Sequence, residues 1–185
     1  NTEDCGIRRL QGGNSKTYSD RGGRITQINC AYLKDPAGKN IGHIEVLQDV
    51  SAAMKPAQYN KIEVERLSNN LRNIANGDLA IDSNLTPPDQ YTQEAHDNFK
   101  TIYSSLNEVR EAISALSSDA KMLVDAAIHG KLDTRSDSSR HKGEYKAIVE
   151  GVNATLDSIV GHLETIPLPI QFMDKDLKIQ YINKT

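Results

Sequence analysis

The stretch FKTIYSSLNEVREAISALSSDAKMLVDAA, Phe99 to Ala127, sets apolar or small residues at Phe99, Ile102, Leu106, Val109, Ile113, Leu116, Ala120, Leu123 and Ala127. The steps alternate between three and four residues. That is the heptad period of 3.5, which imposes a left-handed supercoil on helices that share the seam. The stripe has few apolar flanks, so it is narrower than the face a globular helix turns to a core. Such a seam must be buried against other helices, most simply those of a second copy. A continuous helix over 91–129 would be about 58 Å long at ~1.5 Å per residue.

Two further seams flank this one. Val64, Leu67, Leu71 and Ile74 form a short stripe before it. Tyr145, Ile148, Val152, Leu156, Ile159, Leu163 and Ile166 form another after it, with a doubled step of four that makes a local stutter. The central region also repeats itself. Ile74-Ala-Asn-Gly77-Asp-Leu79 matches Ala127-Ile-His-Gly130-Lys-Leu132, and Phe99 to Asn107 matches Tyr145 to Asn153. Each glycine sits where a helix wants a left-handed C-terminal residue. The pattern reads as helix, connector, helix, twice, the second helix of the first repeat running on as the first helix of the second. Connectors of roughly 13–20 residues are too long for tight turns. They return along the helices, so the helices of each repeat are expected to run parallel.

Outside this region the composition changes. Ile25–Leu33 and Ile41–Gln48 read as two strands around the turn Asp35-Pro-Ala-Gly-Lys-Asn40, because Pro presets φ and Gly permits positive values. Ile166-Pro-Leu-Pro169 ends the helical region. Ile170–Met173 and Lys178–Ile182 then read as two short strands. Two or three strands cannot close a core alone, so both outer zones read as incomplete and the chain as cut from a longer one at both ends.

The 185 residues carry 22 basic and 25 acidic side chains, a net charge of −3, which gives no basic excess for nucleic acid. Cys5 and Cys30 stand alone, and a reduced pair is the simpler reading. No segment approaches the ~18 apolar residues of a membrane span, so no direct membrane contact is expected. The five histidines show no metal-ligand spacing; His129 and His141 are expected to cap helix ends or face solvent. No arrangement of Ser, His and Asp suggests an activated nucleophile. No metal site, catalytic residue or cofactor is assigned, and the chain is read as non-enzymatic.

The repeat resembles the HAMP domain, a signal-relay module of bacterial and archaeal receptors, on Gly77-Asp-Leu79, its counterpart Gly130-Lys-Leu132, and the Asn107 and Asn153 positions. Asp49-Val50-Ser51 is similar to the Asp-Ile-Thr tripeptide that joins a PAS core to its output helix. Residues 166–185 look like the opening of another PAS domain, with Asn183 at a typical place. The resemblance implies a mainly α fold: two stacked HAMP-like parallel helix bundles joined by a continuous helix, with partial α+β PAS-like ends. The implied boundaries are 1–53 (PAS-like), 54–112 and 113–165 (HAMP-like), and 166–185 (PAS-like). It implies a homodimer through parallel helices in the cytoplasmic portion of a membrane-anchored chemoreceptor, acting through chemotaxis kinase and adaptor proteins. The linker of a histidine kinase or another signalling enzyme, with its catalytic domain beyond residue 185, is the alternative. The residues expected to carry the relay are Leu71, Ile74, Gly77, Leu79, Leu106, Ile113, Gly130, Leu132, Ile148 and Val152, with the sheet-to-helix junction at Asp49, Val50 and Ser51.

Overall fold

The computed structural model describes residues 5–184. Helix α1 (Gly6–Gln11) precedes strands β1 (Lys16–Arg21), β2 (Arg24–Lys34) and β3 (Asn40–Asp49), which form an antiparallel sheet in the order β1-β2-β3. Helix α2 (Ser51–Ala75), helix α3 (Gln93–Ile128), a 3-10 turn (Ser138–Arg140) and helix α4 (Gly143–Glu164) follow. A separate antiparallel pair, β4 (Gln171–Met173) and β5 (Ile179–Ile182), closes the described chain. The chain divides into two compact units between Tyr103 and Ser104, within α3.

In the first unit, β1 and β2 turn over Gly22-Gly23, flanked by the pair Arg21 and Arg24. Both glycines have positive φ (58° and 75°), as a two-residue type I′ hairpin requires. The expected β2–β3 hairpin forms, its loop held by Asp35, whose carboxylate accepts from the Lys39 amide at 2.8 Å. Cys30 is buried on β2 and its thiol donates to Glu45 Oε1 at 3.1 Å. Burial, reinforced by Glu45, pushes its pKa up to about 11, so it stays a thiol and behaves as a core residue.

Helices α2 and α3 run side by side in the same direction in this unit. Tyr59 meets Phe99 with ring centroids 6.3 Å apart. One turn further along each helix, the Glu63 charge lies close enough to Tyr103 to raise its phenol pKa, after burial. In the second unit, Glu108, Ala112 and Ala115 of α3 share a groove with Tyr145 of α4. The repeated glycines close their helices identically. The Gly77 amide donates to Ile74 O and Asp78 to Asn73 O, while Gly130 donates to Ala127 O and Lys131 to Ala126 O. Their φ values are 83° and 73°.

The expectation of a mainly α chain built as two stacked HAMP-like parallel bundles is overturned. Helix accounts for 51% of the described residues and strand for 19%, with a three-stranded and a two-stranded sheet. The chain is a mixed α and β structure in which the long helices lie two by two. Two physical reasons account for the difference. Heptad spacing reports that a helix face is buried, not how many helices share the burial. Strand β1, Lys-Thr-Tyr-Ser-Asp-Arg, lacks the apolar alternation that marks a half-buried strand. Only the Gly-Gly pair behind it carried the hairpin signal.

Gly22→Val places a β-branched residue in the left-handed region. It should cost about 1–2 kcal/mol or more and lower the midpoint of thermal unfolding followed by circular dichroism.

Candidate functional site

The sheet passes into α2 through Asp49-Val50-Ser51. The Asp49 carboxylate accepts from Arg24 Nε at 2.7 Å and from the Ser51 amide at 2.9 Å. Ser51 is fully buried; its hydroxyl accepts from the Ile25 amide at 2.8 Å, and the Val50 amide donates to Ile25 O. The last strand, the first turn of the helix and the start of β2 are thus held at one point. Hydrogen bonding from Ser51, ahead of that from Arg24, lowers the Asp49 pKa to about 2.

The connector leaving α2 returns along it, and buried polar side chains of α2 hold it there. Glu63 is 0% exposed. Its Oε1 accepts from both the amide and the hydroxyl of Thr86, at 3.0 and 2.7 Å. Its Oε2 accepts from Arg66, which reaches on to Asp82 at 3.3 Å. Asn70 pairs with the backbone of Asp82 in both directions, donating to its carbonyl at 2.8 Å and accepting from its amide at 3.0 Å. A carboxamide presents one acceptor and a donor pair, so Asn70 stands in for a neighbouring peptide. Further along, Tyr59 donates to Thr86 O, and Lys55 forms an ion pair with Asp89 that lowers the Asp89 pKa.

The second connector is held in the same manner by different residues. Asp119 of α3 meets His141 Nε2 at 2.7 Å, with side chains 6% and 2% exposed, and Arg140 at 3.3 Å. Asn153 of α4 pairs both ways with Ser136, accepting from its amide at 3.0 Å and donating to its carbonyl at 2.8 Å. Arg135 donates to Asp157 and to the carbonyls of Leu132 and Thr134. His141 was expected to cap or face solvent; it is instead a buried partner of Asp119. In the first repeat the peptide-like tie comes from Asn70, not from the Asn107 that matches Asn153 in sequence.

The expected relay residues separate into two groups. Leu106 is buried, and Ile74, Leu79, Ile113 and Leu132 are partly buried. Leu71 (51%), Ile148 (49%) and Val152 (41%) are exposed, together with Ile102 and Val109 of the α3 seam. Gly77 and Gly130 hold the left-handed positions described above. The face that α2 buries most deeply is Tyr59, Glu63 and Asn70, offset from the apolar stripe that the spacing picked out. Glu63, Asn70 and Asp119 were not singled out, because a charged or amide residue on a polar helix reads as solvated. The one available signal is the four- and seven-residue spacing of Tyr59, Glu63 and Asn70. Among the described residues, no three His, Cys, Asp or Glu side chains come together to hold a metal ion.

Residues 140–171 match the HAMP domain family. The matched stretch begins at the clamped Arg140-His141 pair, includes all of α4, and ends at the first residue of β4. No curated protein and no solved structure matches the chain. The match supports a HAMP-containing signalling protein and, with it, the role of a signal-transduction linker.

Glu63→Ala leaves Arg66 and the Thr86 amide without their buried partner. Unsatisfied Thr86 donors cost about 1–3 kcal/mol while Arg66 keeps Asp82, so chemical denaturation should show a loss of that order, whereas Glu65→Ala on the exposed side should change little. The Asp49 junction makes a second prediction. Folding lowers this carboxyl, so its contribution is complete above the ordinary value of 3.8 and lost as pH falls toward about 2. Asp49→Asn should flatten the stability-against-pH curve in that window.

Proposed function

We propose that this chain is a relay segment of a dimeric chemoreceptor, carrying a conformational change from a PAS-like sensor portion at its start to an output region beyond its end. The HAMP match over 140–171 carries the reading. It is supported by the junction at Asp49-Val50-Ser51, which ties the sheet directly to the first turn of α2. Displacement of the sheet edge then has a stiff route into the helix.

In this reading two copies pair through parallel helices. The exposed residues Leu71, Ile102, Val109, Ile148 and Val152 support that pairing. They lie on the apolar stripes, and a second copy would remove them from water. The relay itself is a difference in stability between two packings of the paired helices, since only differential free energy transmits a signal. Couplings of ~1–3 kcal/mol suffice. The chain performs no catalytic step. The chemotaxis kinase and its adaptor would be engaged by the output region, and the segment would sit on the cytoplasmic side of a membrane-anchored receptor. Among the described residues, no helix is long and apolar enough to cross a membrane.

The test is a cysteine scan. With Cys5 and Cys30 replaced, single cysteines along 99–127 should form inter-chain disulfides with peaks every three and four residues, in phase with Ile102 and Val109. A flat profile, or one in another phase, would exclude the parallel dimer. In the intact receptor, Leu79→Ala should shift output without unfolding the segment.

A further inference from the structure

The hairpin β4–β5 touches the ends of both helices of the second unit, by two contacts of different physical kinds. At the end of α4 it is fastened by hydrogen bonds. Asn183 is buried, and its amide nitrogen lies 3.3, 3.2 and 3.0 Å from the carbonyls of Leu163, Ile166 and Leu168. Its side-chain oxygen accepts from the Ile170 amide at 2.7 Å. Glu164, the last residue of α4, accepts from the Tyr181 hydroxyl at 2.9 Å and from the Lys184 amide at 2.7 Å. Those bonds lower its pKa, the Lys184 amide most. Carbonyls at and just past a helix end lack helical partners, and Asn183 supplies a donor to three of them from the hairpin.

At the end of α3 the contact is apolar and closely fitted. A Cβ at Gly130 would stand 3.3 Å from the Cβ atoms of both Phe172 and Gln180. Beside this seat a cleft of about 570 Å³ separates Ala127, Ile128 and His129 from Phe172 and Met173. The hairpin between the two contacts is bonded internally. Asp174 accepts from the amides of Asp176 and Lys178 and from Gln180, and Phe172 stacks near Tyr181 at 5.9 Å.

We infer that the Asn183 cap and the Gly130 seat make this hairpin a gauge of the axial offset between α3 and α4. The capped end cannot slide without orphaning the buried amide of Asn183. The seated end can open or close without orphaning any polar group, and the cleft beside it gives room. A shift of α3 along α4 therefore tilts the hairpin while it stays fixed to α4. This rests on the relay reading and names the place where the helices hand the change onward. The matching glycine of the first repeat, Gly77, has the same backbone conformation and nothing within 4 Å, so it has no seat.

That contrast supplies the test, made by amide hydrogen exchange on the whole chain. Gly130→Ala and Gly77→Ala both place a side chain at positive φ, but only the first crowds the hairpin, whose Phe172 and Gln180 must give by a few tenths of an ångström. Gly130→Ala should speed exchange roughly tenfold at the hairpin amide of Asn183, which donates to Ile170 O, and Gly77→Ala should leave it within about twofold. Equal effects from the two, or none from Gly130→Ala, would overturn the proposal. If the alanine variants do not fold, Gly130→Asn and Gly77→Asn, which tolerate positive φ, give the same comparison. Asn183→Ala should release the hairpin from α4 and speed the same amide with Gly130 intact; an unchanged rate would also overturn it. Failure of the relay reading would appear only in receptor output, leaving these exchange rates as stated.

Discussion

A chain that must start a second helix level with the start of the first has to bring its connector back along the helix it has just left. The returning backbone is neither strand nor helix, so its amides and carbonyls have no ladder to join where they run against the helix. Those turned to the helix would, if unpaired, carry the cost of a buried, unsatisfied polar group. The fold answers with side chains. Glu63 accepts from Thr86 and Asn70 mimics a peptide for Asp82 on the first return. Asp119 meets Arg140 and His141, and Asn153 mimics a peptide for Ser136 on the second. Everything that depends on two parallel helices with level starts depends on these ties.

A fully buried carboxylate is weak evidence for net stability, since its desolvation offsets much of its pairing. It is better evidence for register. Glu63 satisfies Thr86 and Arg66 at once only in one placement of the connector, so the ties select a position more than they add stability. The apolar contacts behave differently. Ile74, Leu79 and Leu132 can repack over small distances without orphaning a polar atom, which is the behaviour a two-state element needs. The division of labour is then physical: polar ties fix where the connectors lie, and apolar seams are free to change packing.

Much of this architecture could be read from residues alone wherever the determinants are local. The glycine ends of α2 and α3, the β2–β3 turn at Asp35-Pro-Ala-Gly and the span of α3 follow from short-range sterics and periodicity. The sheet passes into α2 at Asp49-Val50-Ser51; the resemblance that singled the tripeptide out rests on sequence alone. Strand β1 was not legible, because its alternation is masked by Lys16, Asp20 and Arg21 on an edge. Nor were the buried ties. Glu63 lies among Lys61, Glu65 and Arg66, and nothing in that run distinguishes a carboxylate facing Thr86 from one facing water. His141, next to Arg140 and Lys142, reads as surface for the same reason. The heptad stripe was legible as a stripe, but the number of helices sharing it was not, and the expected stacked bundles were the result.

The central claim is that the connectors are held as firmly as the helices they follow. Native-state hydrogen exchange of the backbone amides of Asp82, Thr86 and Ser136 tests it most directly, since they donate to Asn70, Glu63 and Asn153 respectively. The account predicts that these loop amides exchange on the timescale of the helix cores, and that Glu63→Ala selectively releases Thr86. Exchange near the rate of an unstructured peptide at all three would contradict it.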